Sequence, residues 1–188
     1  MAESKNPTIA PYAGTGEVKL RVTASLPEGE DAEALLQPAI KKILAAAGDY
    51  CYGIDVPDLQ TAAVQALRQK GLTVATAESC TGGLVAARLT EVPGASAVFG
   101  CGIVSYNNTV KAEVLGVDPA IIEQHTAVSA ETAAAMAEAV RKKSGADIGI
   151  GITGNAGPSA SEGQPVGLVF VAVASEKYSH VSRLFIDR

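Results

Sequence analysis

From residue 57 onward, the sequence alternates between short runs that are apolar throughout and longer runs with helical spacing of apolar residues. A strand that is apolar on both faces has to be covered by helices on both faces of its sheet. The pattern therefore predicts a three-layer α/β/α sandwich with a mostly parallel or mixed sheet. Predicted strands are 72–77, 97–106, 147–152, 168–174 and 181–186, and predicted helices are 58–70, 82–90, 109–115, 119–124 and 129–143.

The first 55 residues have a different pattern and predict a small α+β domain. Residues 17–24 alternate polar and apolar side chains, which is typical of a half-buried strand. Residues 32–47 have helical spacing, interrupted by Pro38, and Gly48 ends the helix. Residues 49–53 are predicted to form a short strand. We therefore place the domains at 1–55 and 56–188.

Composition excludes several classes of protein. The net charge of −5, the aromatic content of 4% and the absence of Trp argue against a nucleic-acid binder, which needs a basic face and stacking platforms. Three cysteines, none in a C-x-x-C spacing, argue against a secreted disulfide framework. The sequence has neither a signal-peptide pattern nor an apolar run long enough to span a membrane, so we expect a cytoplasmic location and no membrane partner.

Three predicted strands end in loops that carry reactive or polar side chains. The loops are Glu78–Gly83, Ser105–Asn108 with Lys111 one turn later, and Thr153–Pro158. Ligands of open α/β sheets bind beyond the carboxyl ends of the strands, and parallel strands would bring the three loops together. The last loop, T-G-N-A-G-P, lacks the G-K-[ST] of a phosphate-binding P-loop, and no His, Cys or Asp set has metal-ligand spacing.

Each reactive side chain in these loops has two interpretations. Ser79 is either a helix cap or a nucleophile exposed at a strand-to-helix turn, and Thr81 can serve as the cap beside it. Lys111 is either an ordinary exposed lysine or a partly desolvated base for the serine. Tyr106 is a strand-end aromatic or a proton donor, and Cys80 is a small buried residue or a rival nucleophile.

Several linked motifs resemble one known family. The runs TAESCTGGLVAARLTEVPGASAVF, VSYNNTVKAEVLGV, HTAVS, TGNAGP and QPVGLVF occur in the order found in the C-terminal domain of CinA, the competence/damage-inducible protein. That domain is similar to bacterial nicotinamide-nucleotide amidohydrolases, also called NMN deamidases. The resemblance covers residues 57–188, and residues 7–56 resemble the KH-like region that precedes this domain in long CinA proteins.

The resemblance implies hydrolysis of the carboxamide of nicotinamide mononucleotide to nicotinate mononucleotide and ammonia, without a cofactor or a metal, by a homodimer. It implies that Ser79 is the nucleophile, Lys111 its basic partner and Tyr106 their neighbour. Residues implied in substrate binding are Thr81, Gly82, Gly83, Thr153, Gly154 and Arg188. No G-x-x-G loop of a nucleic-acid-binding KH domain is present, which again argues against nucleic acid.

The sequence departs from the family at three places. Asn155 replaces an apolar residue, and residues 159–161 replace a glycine-rich run. In the family, a sequence similar to F-I-D-R, here 185–188, opens a last helix, so we expect the larger domain to lack that helix. The departures keep an alternative open, in which the chain is a catalytically weak nucleotide-binding or regulatory module of a multidomain CinA protein.

Overall fold

The computed structural model describes residues 6–160 and 162–186, and the chain divides into two compact units, Met1–Leu59 and Gln60–Arg188. The smaller unit contains an antiparallel pair of strands, β1 (Thr8–Ala13) and β2 (Val18–Thr23), followed by helix α1 (Ala32–Ala47).

Helix α1 has the bounds that the sequence predicts. The Asp31 carboxylate accepts a hydrogen bond of 2.9 Å from the Glu33 N–H and caps the first turn. The strand predicted at 17–24 is confirmed as β2, whereas β1 was not predicted. The strand predicted at 49–53 is wrong, because Gly48 leaves the helix with φ 53° and Cys51 N–H then bonds to its carbonyl, which closes a 3₁₀ turn.

Helices and strands alternate in the larger unit as predicted. In chain order they are α2 (Leu59–Lys70, which begins at the boundary between the units), β3 (Val74–Glu78), α3 (Leu84–Thr90), β4 (Phe99–Val104), a π-helix (Val110–Leu115), α4 (Pro119–His125), α5 (Ala130–Ser144), β5 (Ile148–Gly154), β6 (Leu168–Ala174) and β7 (Ser179–Phe185). In the described residues, no helix is long and apolar enough to cross a membrane.

The five strands of the larger unit form one mixed sheet in the order β4-β3-β5-β6-β7. The first three strands are parallel, and β6 and β7 are antiparallel to their neighbours. The carboxyl ends of the parallel strands, at Glu78, Val104 and Gly154, therefore lie at one edge of the sheet. Each of the three predicted polar loops begins at this edge.

Helices cover both faces of the sheet and confirm the three-layer sandwich. On one face, Val74 packs with Val64 of α2 and Leu89 of α3. On the other face, Ala75 and Ala77 of the same strand pack with residues of the π-helix and α5, among them Leu115, Met136 and Val140. Burial of both faces explains why the strands are apolar throughout.

Helix α5 lies unusually close to strand β5 because that strand carries two glycines on the helix side. A Cβ added at Gly151 would lie 2.2 Å from the Ala133 carbonyl oxygen, and one at Gly149 would lie 2.0 Å from the Ala137 carbonyl oxygen. Only glycine fits at such a distance, so these residues set the spacing between helix and sheet.

Candidate active site

The three polar loops converge on a cavity of about 320 Å³ at the carboxyl edge of the parallel strands. Its lining includes Ser79 from the first loop, Tyr106 and Lys111 from the second, and Thr153 and Gly154 from the third. This volume is within the range of sites for small molecules.

Ser79 and Lys111 meet inside this cavity. The Lys111 Nζ atom lies 3.3 Å from the Ser79 Oγ atom, although the residues are 32 positions apart in the sequence. Both side chains are buried, with relative exposures of 7% for Ser79 and 1% for Lys111. A lysine that is almost fully buried is rare, and it requires specific partners for its amine.

Backbone carbonyls provide those partners. Nζ of Lys111 donates to the Ser105 carbonyl at 2.9 Å and to the Tyr106 carbonyl at 3.4 Å. A neutral amine has two N–H donors and one lone pair. With both donors directed at carbonyls, the lone pair is left for the Ser79 hydroxyl, which can then donate its proton to Lys111.

Burial lowers the pKa of Lys111, because the charged ammonium form loses its hydration. The nearby Glu162 and Cys80 act in the opposite direction and raise it to a smaller extent. In the described residues no carboxylate forms an ion pair with Lys111. Burial therefore shifts the Lys111 equilibrium towards the neutral amine, which is the form that a general base requires.

A π-helix carries Lys111 into the site. Residues 109–115 were predicted as a short α-helix, but Val110–Leu115 has the wider π-helical winding. The Asn107 side chain accepts from the Val110 N–H at 2.8 Å and fixes the start of this segment. Single π-helical turns are rare, and they occur frequently at functional sites.

Glu78 is a functional candidate that the sequence analysis missed. Its carboxylate is 1% exposed and accepts three backbone N–H groups from the start of α3: Gly83 at 3.1 Å, Val85 at 3.1 Å and Ala86 at 2.8 Å. Glu78 therefore takes up these N–H groups at the start of α3, which a bound anion could otherwise use. The available signal was a carboxylate at the buried end of a strand, directly before the serine.

The predicted substrate-binding roles of Gly82 and Gly83, and a helix cap by the Thr81 hydroxyl, do not fit this arrangement. The Gly82 N–H bonds to the Ser79 carbonyl at 3.0 Å and the Gly83 N–H bonds to Glu78, so neither is left for a ligand. Within the described part of the chain, the buried Thr81 hydroxyl has no hydrogen-bond partner, so it does not serve as the predicted cap. None of the three lines the cavity. The two glycines instead have φ of 61° and 97°, which form the turn behind Ser79.

Cys80 lines the cavity beside Ser79, but burial raises the pKa of its thiol and disfavours the reactive thiolate. The backbone N–H of Cys80, the nearby Lys111 and the backbone N–H of Thr81 each lower that pKa by less than burial raises it. Neither of these two N–H groups is among those that donate to Glu78.

Tyr106 contacts Lys111 through its backbone carbonyl, whereas the prediction gave a role to its hydroxyl. The side chain is 76% exposed at the cavity. Thr153 is buried, and its hydroxyl donates to the Ala127 carbonyl at 2.7 Å, so it ties the third loop to the segment before α5. Gly154 lines the cavity next to it. Arg188, the last predicted site residue, lies outside the described residues.

Asn155 holds the long loop between β5 and β6. Its side chain donates to the Gln164 carbonyl at 3.0 Å and accepts from the Gly157 N–H at 3.1 Å. The amide that replaces an apolar residue of the family thus has a local structural role.

A second, larger cavity of about 500 Å³ lies in the smaller unit, against α1 and β2. Its lining is mainly apolar and includes Tyr12, Leu20 and Ile43. Hydrogen-bonded nucleophile and base side chains do not occur among its described residues, so size alone does not make it the catalytic candidate.

Two family models match the chain, and together they cover most of it. The CinA C-terminal domain matches residues 57–188, and the damage-inducible protein CinA KH domain matches residues 1–53. The chain therefore belongs to the CinA family.

Relatives and solved structures agree with this assignment. A CinA-like protein of Desulfovibrio desulfuricans is 47% identical over 175 residues, which are 93% of this chain and 41% of the relative. A CinA-like protein of Synechococcus is 44% identical over the whole chain and 46% of the relative. The chain thus spans less than half the length of these relatives. The crystal structure of competence/damage inducible protein CihA from Agrobacterium tumefaciens is 38% identical with a TM-score of 0.65, over 68% of this chain and 79% of that one.

Proposed function

We propose that the larger unit is an amidohydrolase that converts nicotinamide mononucleotide to nicotinate mononucleotide and ammonia with a Ser79–Lys111 pair. The observation that carries the proposal is the buried Lys111 amine, which lies 3.3 Å from the Ser79 Oγ atom and whose pKa is lowered by burial. Membership of the CinA family supports the choice of substrate through the resemblance to NMN deamidases.

The proposed reaction begins when Lys111 Nζ takes the proton of the Ser79 hydroxyl as its oxygen attacks the carboxamide carbon. Collapse of the tetrahedral intermediate breaks the C–N bond, and the Lys111 ammonium returns the proton to the leaving nitrogen, which departs as ammonia. The nicotinoyl group is then an ester of Ser79. Lys111, neutral again, takes a proton from water as water attacks the ester. When this second tetrahedral intermediate collapses, the Ser79 oxygen leaves and takes the proton from the Lys111 ammonium, which yields the carboxylic acid, the free Ser79 hydroxyl and the neutral amine.

The tetrahedral intermediate needs hydrogen-bond donors for its oxyanion. We assign this role to the backbone N–H groups of Cys80 and Thr81, because the next N–H groups are already bonded to Ser79 and Glu78. Thr153 and Gly154 form the opposite wall of the cavity, where they limit the position of the substrate. Arg188 stays a proposed substrate-binding residue on the resemblance alone.

The experiment is ammonia release from nicotinamide mononucleotide by the wild type, Ser79→Ala and Lys111→Ala. Matched controls are Ser96→Ala and Lys143→Ala, which remove the same groups from exposed positions. The proposal expects turnover in the wild type and both controls, and a loss of at least about 100-fold in both site variants. Full turnover by Ser79→Ala would contradict it. Binding of the nucleotide without turnover by the wild type would instead favour the nucleotide-binding module.

A further inference from the structure

Two charged side chains line the described part of the cavity, Lys111 and Glu162. The proposed chemistry requires Lys111 as a neutral amine when substrate binds. When Lys111 is neutral, the Glu162 carboxylate gives the described lining of the cavity a net negative charge. A negative site attracts a cation and repels an anion, so its charge bears on which amides can bind.

Neutral groups fix Glu162 in place. Its Oε2 atom accepts from the Ala127 N–H at 2.7 Å, and its Oε1 atom lies 3.5 Å from the Asn108 amide nitrogen. In the described parts of the chain, no cationic side chain forms a salt bridge with it. Hydrogen bonds from uncharged donors orient a carboxylate without cancelling its charge. The Glu162 carboxylate therefore has a defined orientation, and its charge is not neutralised by a salt bridge within the described residues.

The charge of Glu162 reaches the reacting centre. It raises the pKa of Lys111, so its field is felt at the amine beside Ser79. In an N1-substituted nicotinamide, a single ring carbon separates the charged ring nitrogen from the carbon that carries the carboxamide. A carboxamide placed against Ser79 thus puts the positive ring within the cavity that Glu162 lines.

We propose that Glu162 is a specificity-determining residue that selects the positively charged pyridinium ring of N1-substituted nicotinamides over neutral aromatic amides. This inference rests on the proposed function, because it takes Ser79 as the residue that receives the carboxamide. It gives Glu162 a role in binding that differs from holding the loop, since loop shape alone does not distinguish a charged ring from a neutral ring of the same size.

The test compares nicotinamide mononucleotide with its reduced 1,4-dihydro form. The two ligands share phosphate, ribose and carboxamide, and they differ in ring charge, so repulsion between the phosphate and Glu162 cancels in the comparison. Dissociation constants are measured by calorimetric titration of Ser79→Ala protein, which prevents turnover, with and without Glu162→Gln. Glutamine keeps one oxygen to accept from the Ala127 N–H, and Glu123→Gln removes the same charge from an exposed position as a control.

We expect Glu162→Gln to weaken binding of the charged nucleotide about tenfold and binding of the dihydro form less than twofold. The tenfold effect is expected to shrink as salt rises from about 0.05 to 0.5 M, because mobile ions screen the field in an open cavity. Glu123→Gln should change neither constant.

Equal weakening of both ligands would overturn the inference and assign Glu162 to loop structure. Unchanged binding of both ligands would overturn it as well, and so would failure of the charged nucleotide to bind. Ammonia release by the wild type decides the proposed function separately, because an active enzyme without charge discrimination refutes the role of Glu162 while the Ser79–Lys111 chemistry stands.

Discussion

Replacement of Glu78 by glutamine tests how the turn that carries Ser79 is held. The Glu78 side chain is buried and receives three N–H groups from the first turn of α3. One oxygen, Oε2, accepts from both Gly83 and Val85, and the other, Oε1, accepts from Ala86. Glutamine has one acceptor oxygen and one NH₂ group. It can therefore accept either from the Gly83 and Val85 N–H groups or from the Ala86 N–H, but not from all three.

The expected loss follows from this geometry. If the glutamine oxygen keeps the Gly83 and Val85 bonds, the NH₂ group faces the Ala86 N–H and leaves that donor buried without an acceptor. An unsatisfied buried donor costs about 2 kcal/mol, and the two remaining bonds lose the strength that an ionised acceptor gives, about 1 kcal/mol together. We therefore expect Glu78→Gln to lower the free energy of unfolding by about 3 kcal/mol.

Two measurements check this expectation. Urea unfolding followed by far-ultraviolet circular dichroism gives the change in free energy, since the chain has no Trp for fluorescence. Hydrogen exchange with mass spectrometry of peptides that cover α3 shows whether the Gly83, Val85 and Ala86 amides lose protection selectively. The control is Glu91→Gln, which removes an exposed carboxylate at the other end of the same helix.

A loss below about 1 kcal/mol, with unchanged protection of the three amides, would refute this account of the turn. It would mean that Glu78 does not hold the start of α3, and that those N–H groups are available to a substrate anion after all.

Three further predictions concern the rest of the molecule. Because burial lowers the pKa of Lys111, kcat/KM for amide hydrolysis should rise with pH and reach its plateau at a pH below the ordinary pKa range of lysine. A pH–rate profile that still rises through that pKa range would contradict this prediction. Gly151→Ala should destabilise the larger unit by about 3 kcal/mol in urea unfolding, since its Cβ meets the backbone of α5, while Gly100→Ala, which meets nothing within 4 Å, should cost little. Tyr52 should titrate with a pKa of about 12 in an ultraviolet pH titration, because its hydroxyl donates to Glu17 at 2.6 Å. The stability that this hydrogen bond contributes is full below the ordinary tyrosine pKa and is lost as the pH rises towards 12. Glu17→Gln should return the pKa of Tyr52 to the ordinary tyrosine range.

Regular patterns in the sequence predicted most of the fold. Helix α1 has the predicted bounds because its helical periodicity lies between strong end signals, Asp31 and Gly48. Strand β6 has the predicted bounds because LVFVAVA is an uninterrupted apolar run that follows Gly167. Strand β1 was missed because TIAPYA lacks a clear alternation and contains Pro11, and its pairing with β2 is a tertiary contact. The π-helical winding around Lys111 has no distinct period in so short a segment.

The site was predictable in its location and less so in its contacts. Parallel strands bring Ser79 and Lys111 to one edge, and the sequence contains the strand pattern that implies this. Which N–H groups Glu78 occupies, and that Tyr106 acts through its carbonyl, depend on side-chain directions that no spacing encodes. Glu162 was missed for a similar reason, since it lies in an irregular loop and meets Ala127 only after folding.

The most direct test of the central claim is the rate at which a fluorophosphonate labels the protein at neutral pH, with the modified residue located by mass spectrometry. If Lys111 activates Ser79, the wild type is labelled at Ser79, and Lys111→Ala reacts at least about 100-fold more slowly while Lys143→Ala reacts at the wild-type rate. Equal labelling of the wild type and Lys111→Ala, or labelling at Cys80 in place of Ser79, would contradict the claim.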